Sequence, residues 1–313
     1  MPGPFTHLMI CEAGIYREDL LGEDLSKLLA ANYQFVFLGA ESPDLPYLSV
    51  GVDGNQWADA MHYTRTNSQV ISGFEALRQA WPQRTPADEV KFAWLLGYVS
   101  HMVADATVHP IVQAIVGPYK GHEVPHRLCE TAIDSLIFEE INHTDLTYAE
   151  FSEALKFCKE SDYFHDFLDF WEAQLVASYL AGSYPEMSHS PKPHTWFSEY
   201  TTALDAAEGG KVRAIFRHLG VESNYFYRSP EVIRNDTPED YQQYYAAVKL
   251  PGGGTGPFKP LGFDRAVNNV GNIWKALYDG LTDPGLDVSG VVKDWNLDTG
   301  VDQGPTGLVT FWS

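Results

Sequence analysis

The stretch that most constrains this chain is "WLLGYVSHMVADATVHPIV", in which His101, Asp105 and His109 stand at every fourth position of an otherwise apolar run. Apolar residues at three- and four-residue spacing predict a buried helix here, opened by Pro86. On a helix, positions four apart lie on nearly one face, about 6 Å apart along the axis. His101 and Asp105 can therefore grip one ion. His109 lies roughly 12 Å from His101 along the axis and is expected to serve a second ion. Pro110 disfavours helical geometry at His109, so the helix is expected to end there and free the imidazole to swing towards a neighbour. A lone histidine on an apolar face is more often a hydrogen-bonded core residue than a ligand. Three metal-capable groups in one buried run are costly without a strong partner, and that favours metal.

A second ladder follows in "GHEVPHRLCETAID". Its His122-Glu123-Val124-Pro125-His126 matches the His-Glu-x-x-His pattern of zinc proteases, which needs both imidazoles on one continuous helix. Pro125 between them argues against that and for a helix starting near Pro125. His126, Glu130 and Asp134 then share a face, His122 becomes an entry-loop residue, and Glu123 has no role as a protease base. His7, Asp44 and His62 are further candidates, with Asp53 and Asp59 as rival carboxylates. His143, His165, His189, His194 and His218 show no comparable pairing.

Helical spacing recurs in nine segments, within 17–32, 69–81, 87–108, 125–141, 148–160, 164–182, 196–219, 238–249 and 263–281, and no series of strands is apparent. The fold class expected is all-α, a single mainly helical domain: 1–249 as the metal-binding catalytic part, and 250–313 as a Gly/Pro-rich turn, final helix and tail packed on it. The connections at 42–61 and 221–236 read as long aromatic loops, a length that tends to be functional. "LPGGGTGPFKPLG" (250–262) lacks the ending of a phosphate loop, and no role is legible in the tail. The net charge of −21 repels polyanions, which makes nucleic acid an unlikely partner. No run of ~18 apolar residues predicts a transmembrane segment, and the amino terminus has no secretory pattern. A cytoplasmic protein is expected as the sequence stands, or a secreted one if a signal peptide has been removed. Cys11, Cys129 and Cys158 match no metal or disulfide pattern and are expected to be reduced and buried.

With these residues in place, the chain resembles the zinc-dependent phospholipase C family, whose fold is shared with the single-strand-specific zinc nucleases. What carries the resemblance is an early Thr-His, then "LGAESPD", a histidine after it, the His-x3-Asp helix with a further histidine, and a closing His-x3-Glu, over roughly residues 5–135. The resemblance implies up to three zinc ions. Asp44, His62, His101 and Asp105 would hold one, Asp105 would bridge to a neighbour also bound by His7, and His109, His126 and Glu130 would hold the third. It further implies hydrolysis of a phospholipid or related phosphoester by metal-activated water, with Asp44 as ligand or proton acceptor and Asp134 orienting an imidazole. The aromatics of "YFYRSP" (225–230) are candidates for transient contact with a membrane surface or a substrate tail, although a packed loop is the ordinary reading of such a stretch. Two departures stand out. The amino-terminal group that completes the site in secreted relatives has no evident counterpart before His7, and Leu45 follows Asp44 where the bacterial phosphatidylcholine enzymes have a tyrosine. The alternatives are a single-strand-specific nuclease, a metal enzyme acting on another metabolite, and a metal-binding protein without turnover.

Overall fold

Thr85 and Asp88 begin the longest helix. The Thr85 side chain accepts the Asp88 amide while the Asp88 carboxylate accepts the Thr85 amide, and Pro86 occupies the first helical position. A computed structural model describes residues 3–49, 52–146, 149–180, 187, 189–208 and 227–313. In chain order the helices are α1 (Pro4–Ile15), α2 (Glu18–Leu21), α3 (Glu23–Ala31), α4 (Tyr33–Glu41), α5 (Val52–Tyr63), α6 (Ser68–Ala80), α7 (Pro86–Val116), α8 (Glu123–Asn142), α9 (Phe151–Phe157), α10 (Phe164–Leu175), α11 (Pro193–Glu208), α12 (Pro230–Asn235), α13 (Pro238–Tyr241) and α14 (Asp264–Thr282). Two small antiparallel ribbons complete it, β1 (Val248–Lys249) with β2 (Thr255–Gly256), and β3 (Trp295–Asn296) with β4 (Val301–Asp302). The protein is one mainly helical domain, as the periodicity predicts. No described helix is long and apolar enough to cross a membrane.

α7 is the axis of the core, buried almost continuously from Val90 to Val112. It packs against α1, α4, α6, α8 and α14, and an axis enclosed on all sides is apolar all round rather than amphipathic. The closest approach is to α4. A Cβ on Gly97 would lie 2.0 Å from the Val36 carbonyl oxygen, and one on Gly39 would lie 2.1 Å from that of Trp94. This contact brings the Ala40 carbonyl against His101. Gly97→Ala is therefore expected to force the two backbones apart, destabilising the fold by about 3 kcal/mol or more. Calorimetric melting checks this, and a melting temperature within a degree of the parent's would refute it.

Several expectations need correction. α7 does not end at His109 but continues through Pro110 to Val116. Proline leaves the Ala106 carbonyl without its helical donor, and Gly300 of the tail covers that spot. At φ +66°, a Cβ there would fall 2.4 Å from the Ala106 oxygen and 2.9 Å from Pro110 Cγ, so only glycine lets the tail come this close. The expected loop over 42–61 holds a 3-10 turn, Leu45–Leu48, and most of α5. The helix expected across 17–32 is broken at Gly22, whose φ is +78°. α1, α4 and α5 were not among the nine segments. α1 buries nine of its twelve residues on every side, which erases the contrast that periodicity detects. Within 221–236, residues 230–235 are helical, and 221–226 lie outside the described residues, as do 209–219 of the helix expected there. The glycine-rich stretch forms the β1–β2 hairpin, and the tail is ordered through β3 and β4.

Candidate metal centre

Three histidines are held the same way. His62 Nδ1 lies 2.7 Å from the Ala58 carbonyl oxygen, His101 Nδ1 2.7 Å from that of Ala40, and His109 Nδ1 2.7 Å from that of Leu297. A carbonyl only accepts, so each Nδ1 carries the proton and each Nε2 presents a lone pair inward. Those lone pairs converge. His62 Nε2 and His101 Nε2 face each other at 3.2 Å, which is repulsive unless a cation or proton stands between them.

Asp105 sits in the middle, fully buried. Its Oδ1 is 3.2 Å from His7 Nε2 and 3.9 Å from His109 Nε2, and its Oδ2 is 3.2 Å from His101 Nε2 and 3.9 Å from His62 Nε2. Asp44 Oδ1 approaches His62 Nε2 at 3.3 Å, and the His7 ring stacks on His101 at 4.2 Å. Two compact groups result, His7–His101–Asp105 and Asp44–His62–His101, each with its ligand atoms within 4.8 Å of one another. His126 is oriented oppositely. Its Nε2 donates to the Gly117 carbonyl at 2.7 Å, leaving Nδ1 3.8 Å from Glu130 Oε1. His109, His126 and Glu130 are not drawn into a trio as tight as the other two, and this part joins the rest through His109 and Asp105.

The electrostatics follow the geometry. Burial, reinforced by His101, lowers His7 to about 4 and keeps it neutral. Burial would also lower His62, but the Asp44 carboxylate outweighs it and lifts that imidazole to about 9. The lone pairs that draw a proton there would equally draw a divalent ion. Burial alone would raise Asp105, yet the surrounding imidazoles, His101 foremost, hold it well below the carboxylate range. Glu130 is likewise held below the usual carboxylate range against the effect of burial.

Both nitrogens of His7, both carboxylate oxygens of Asp105, His109 Nε2 and His126 Nδ1 are buried without a hydrogen-bond partner. Buried polar atoms are rarely left so, and each costs about 1–3 kcal/mol. A cluster of such atoms, all imidazole nitrogen or carboxylate oxygen, fits zinc of the catalytic kind, which uses these ligands rather than the thiolates of a closed structural site.

The remaining candidates fall elsewhere. Among the described residues, Asp134 makes no hydrogen bond to an imidazole. It accepts the Thr6 amide and hydroxyl at 2.9 and 2.5 Å and the Tyr227 hydroxyl at 3.0 Å, so it steadies His7 through the preceding backbone. Burial raises its carboxyl to about 7 despite these donors. His122 caps α8 at the surface, its Nδ1 3.0 Å from the Pro118 oxygen, and Glu123 accepts the Gly121 amide. Asp59 accepts the Tyr47 hydroxyl, and the Asp53 side chain lies outside the described residues, as does His218. The three cysteines are buried and unpaired with one another. Above the cluster opens a cavity of about 310 Å³, with His62 and Glu130 in its wall beside Tyr47, Tyr63, Arg127 and Asp298. Sequence reasoning missed the carbonyls of Ala40, Ala58 and Leu297 altogether. A backbone acceptor leaves no mark in the identity of its residue.

A family model for zinc dependent phospholipase C matches residues 6–182, a span that holds His7, Asp44, His62, both ladders and the α4–α7 contact. Neither the curated proteins nor the solved structures give a match. The matched span is more than half of the 313 residues, and together with the helical fold around this histidine and carboxylate cluster it means that the chain belongs to the zinc-dependent phospholipase C family.

Proposed function

We propose that the protein is a zinc-dependent phosphodiester hydrolase that cleaves a phospholipid or related phosphoester in the manner of a phospholipase C. The observation that carries this reading is the convergence of the Nε2 atoms of His62, His101 and His109, with His7, on one buried carboxylate, under a cavity open to a small-molecule substrate. His7, Asp44, His62, His101 and Asp105 would hold two ions with Asp105 between them, and His109, His126 and Glu130 a third. Zinc bound there supplies a water of lowered pKa and positive charge for the phosphoryl oxygens.

The chain's own groups do the rest. The carbonyls of Ala58, Ala40 and Leu297 fix the tautomers, so no reorganisation is needed when a substrate arrives. Asp44 is 7% exposed, against 2% or less for His7, His62, His101, Asp105, His109 and His126. With Glu130, whose side chain keeps 12%, it is one of two carboxylates of the cluster with access to solvent, and we assign it the proton of the attacking water. Arg127 in the cavity wall brings positive charge to an otherwise acidic mouth, where an anionic phosphodiester must approach a chain of net charge −21.

Turnover of a chromogenic phosphocholine diester, compared with single-stranded DNA and an enzyme-free control, tests the reading, with metal analysis of the same sample. Diester hydrolysis with zinc bound and DNA left intact is the expected result. A zinc-loaded protein that cleaves neither would sink the enzymatic reading, and cleavage of DNA alone would replace it with a nuclease.

A further inference from the structure

His7 differs from the other inward histidines of the cluster in how it is held. His62, His101 and His109 each rest Nδ1 on a backbone carbonyl, and a contact of that kind fixes both ring and tautomer. His7 has no such acceptor. Its ring stacks on His101, and neither ring nitrogen has a hydrogen-bond partner among the described residues. What places this imidazole is therefore the backbone of α1.

That backbone is pinned from α8. The start of a helix is ordinarily capped by the side chain of the residue before it, which accepts an amide two or three positions further on. Before α1 stands Gly3, which has no side chain to offer. Asp134 supplies the missing acceptor. Its Oδ1 takes the Thr6 amide at 2.9 Å and the Thr6 hydroxyl at 2.5 Å. A Cβ on Gly3 would fall 2.0 Å from Asp134 Oδ2 and 2.7 Å from Oδ1, so the carboxylate occupies the space that a capping side chain at position 3 would fill. A negative group there also meets the positive end of the α1 dipole. From outside the matched span, the Tyr227 hydroxyl donates to Oδ2 at 3.0 Å, and its ring packs edge-on against Phe5 at 5.5 Å. His7 follows Thr6 directly. On α8, Asp134 stands one turn beyond Glu130, as His126 stands one turn before it. One face of α8 therefore carries two ligands proposed for the third ion and the group that fixes the backbone at His7.

We propose that Asp134 is a positioning residue for His7: a helix cap supplied from α8, which takes the place of the carbonyl clamp on the other three histidines and sets the affinity of the ion that His7 shares with Asp105. This rests on the metal part of the reading above and deepens it. The ion of His109, His126 and Glu130 draws none of these ligands from α1, so it is indifferent to the cap.

The test is zinc titration of the full-length protein against a chromogenic chelator, with metal analysis, for the parent and for Asp134→Leu, Asp134→Asn, Gly3→Ala, Thr6→Val and His7→Ala. Removing a group that orients a metal ligand weakens metal binding roughly ten- to a hundredfold. Asp134→Leu and Gly3→Ala are each expected to weaken one zinc by that factor and to leave the remaining zinc within about threefold of the parent. Thr6→Val, which loses the hydroxyl and keeps the amide, should weaken the same zinc by less. Asp134→Asn still accepts from Thr6 and can turn its NH2 to the Tyr227 oxygen, so it is expected to bind zinc as the parent does. In His7→Ala that zinc is already lost, and adding Asp134→Leu should change zinc binding no further. Parent-like zinc affinities in Asp134→Leu, with only the melting temperature lowered, would reduce the contact to a structural one and overturn the proposal. Loss of every zinc from folded Asp134→Leu, or an undiminished effect in the His7→Ala background, would overturn it too. If Asp134→Leu does not fold, Gly3→Ala and Thr6→Val decide, and parent-like zinc affinity in both refutes the cap. A parent that binds no zinc overturns the metal reading and this proposal together. Zinc bound without diester turnover removes the hydrolase reading alone, and the comparison of zinc affinities still decides this one.

Discussion

Asp105→Asn is expected to strip the protein of at least two zinc ions and to lower phosphodiester turnover by more than about a thousandfold. The side chain keeps its volume, so the core around it need not repack. What it loses is the charge. Four imidazole nitrogens lie within 3.9 Å of the two Asp105 oxygens, and no other described carboxylate reaches both His7 and His101 as part of a compact ligand group. An amide offers one neutral oxygen and turns its NH2 towards nitrogens proposed as metal ligands. Metal analysis alongside kcat decides the matter. A variant that retained its zinc, or worked at a tenth of the parent rate, would remove Asp105 from the position proposed for it.

Removing zinc from the parent protein should lower the melting temperature by about 10 °C or more. An ion that binds only the folded chain contributes RT ln(1 + [L]/Kd), about 4 kcal/mol for each site when free zinc is a thousandfold above Kd. Two such sites, at the roughly 2 °C per kcal/mol suited to a domain of this size, give that shift. The structure supplies the reason for the sign. Without metal, the inward atoms of His7, Asp105, His109 and His126 are buried with no hydrogen bonds to replace those of water. Calorimetry after chelation and again after zinc is restored is the measurement, and a melting temperature indifferent to zinc would mean that these residues do not hold it in the folded state.

The two ladders were legible because helix geometry is local. Once a run is helical, residues four apart share a face whatever the rest of the chain does. His101 with Asp105, and His126 with Glu130, therefore follow from spacing alone, and so does the failure of the His122–His126 pattern, since Pro125 lies between. The same locality misled at Pro110. Local chemistry argues for a helix end, but the tail packs Gly300 against the freed carbonyl of Ala106 and the helix runs on. It also misled at Asp134, whose place in the second ladder suggested an imidazole partner, whereas the nearest donors come from α1 and from Tyr227. α1 and α4, which carry His7 and present the Ala40 carbonyl, were invisible to periodicity because burial on every side leaves no polar face to alternate with.

By itself, then, the sequence determined an all-α chain with metal-capable groups in order along two helices, because residue type and helical pitch are properties of a segment. Tertiary structure alone decided which nitrogen of each histidine faces inward and that the carboxy-terminal tail walls the cavity with Asp298, and it brought His7 and Asp44, which helix spacing could not connect to the α7 ladder, against it. These depend on carbonyls and side chains far apart in the chain, 188 positions for His109 and Leu297 and 229 for Thr66 and Trp295. Such groups meet only when α4, α5 and the tail close around α7, and no spacing within one segment encodes that meeting.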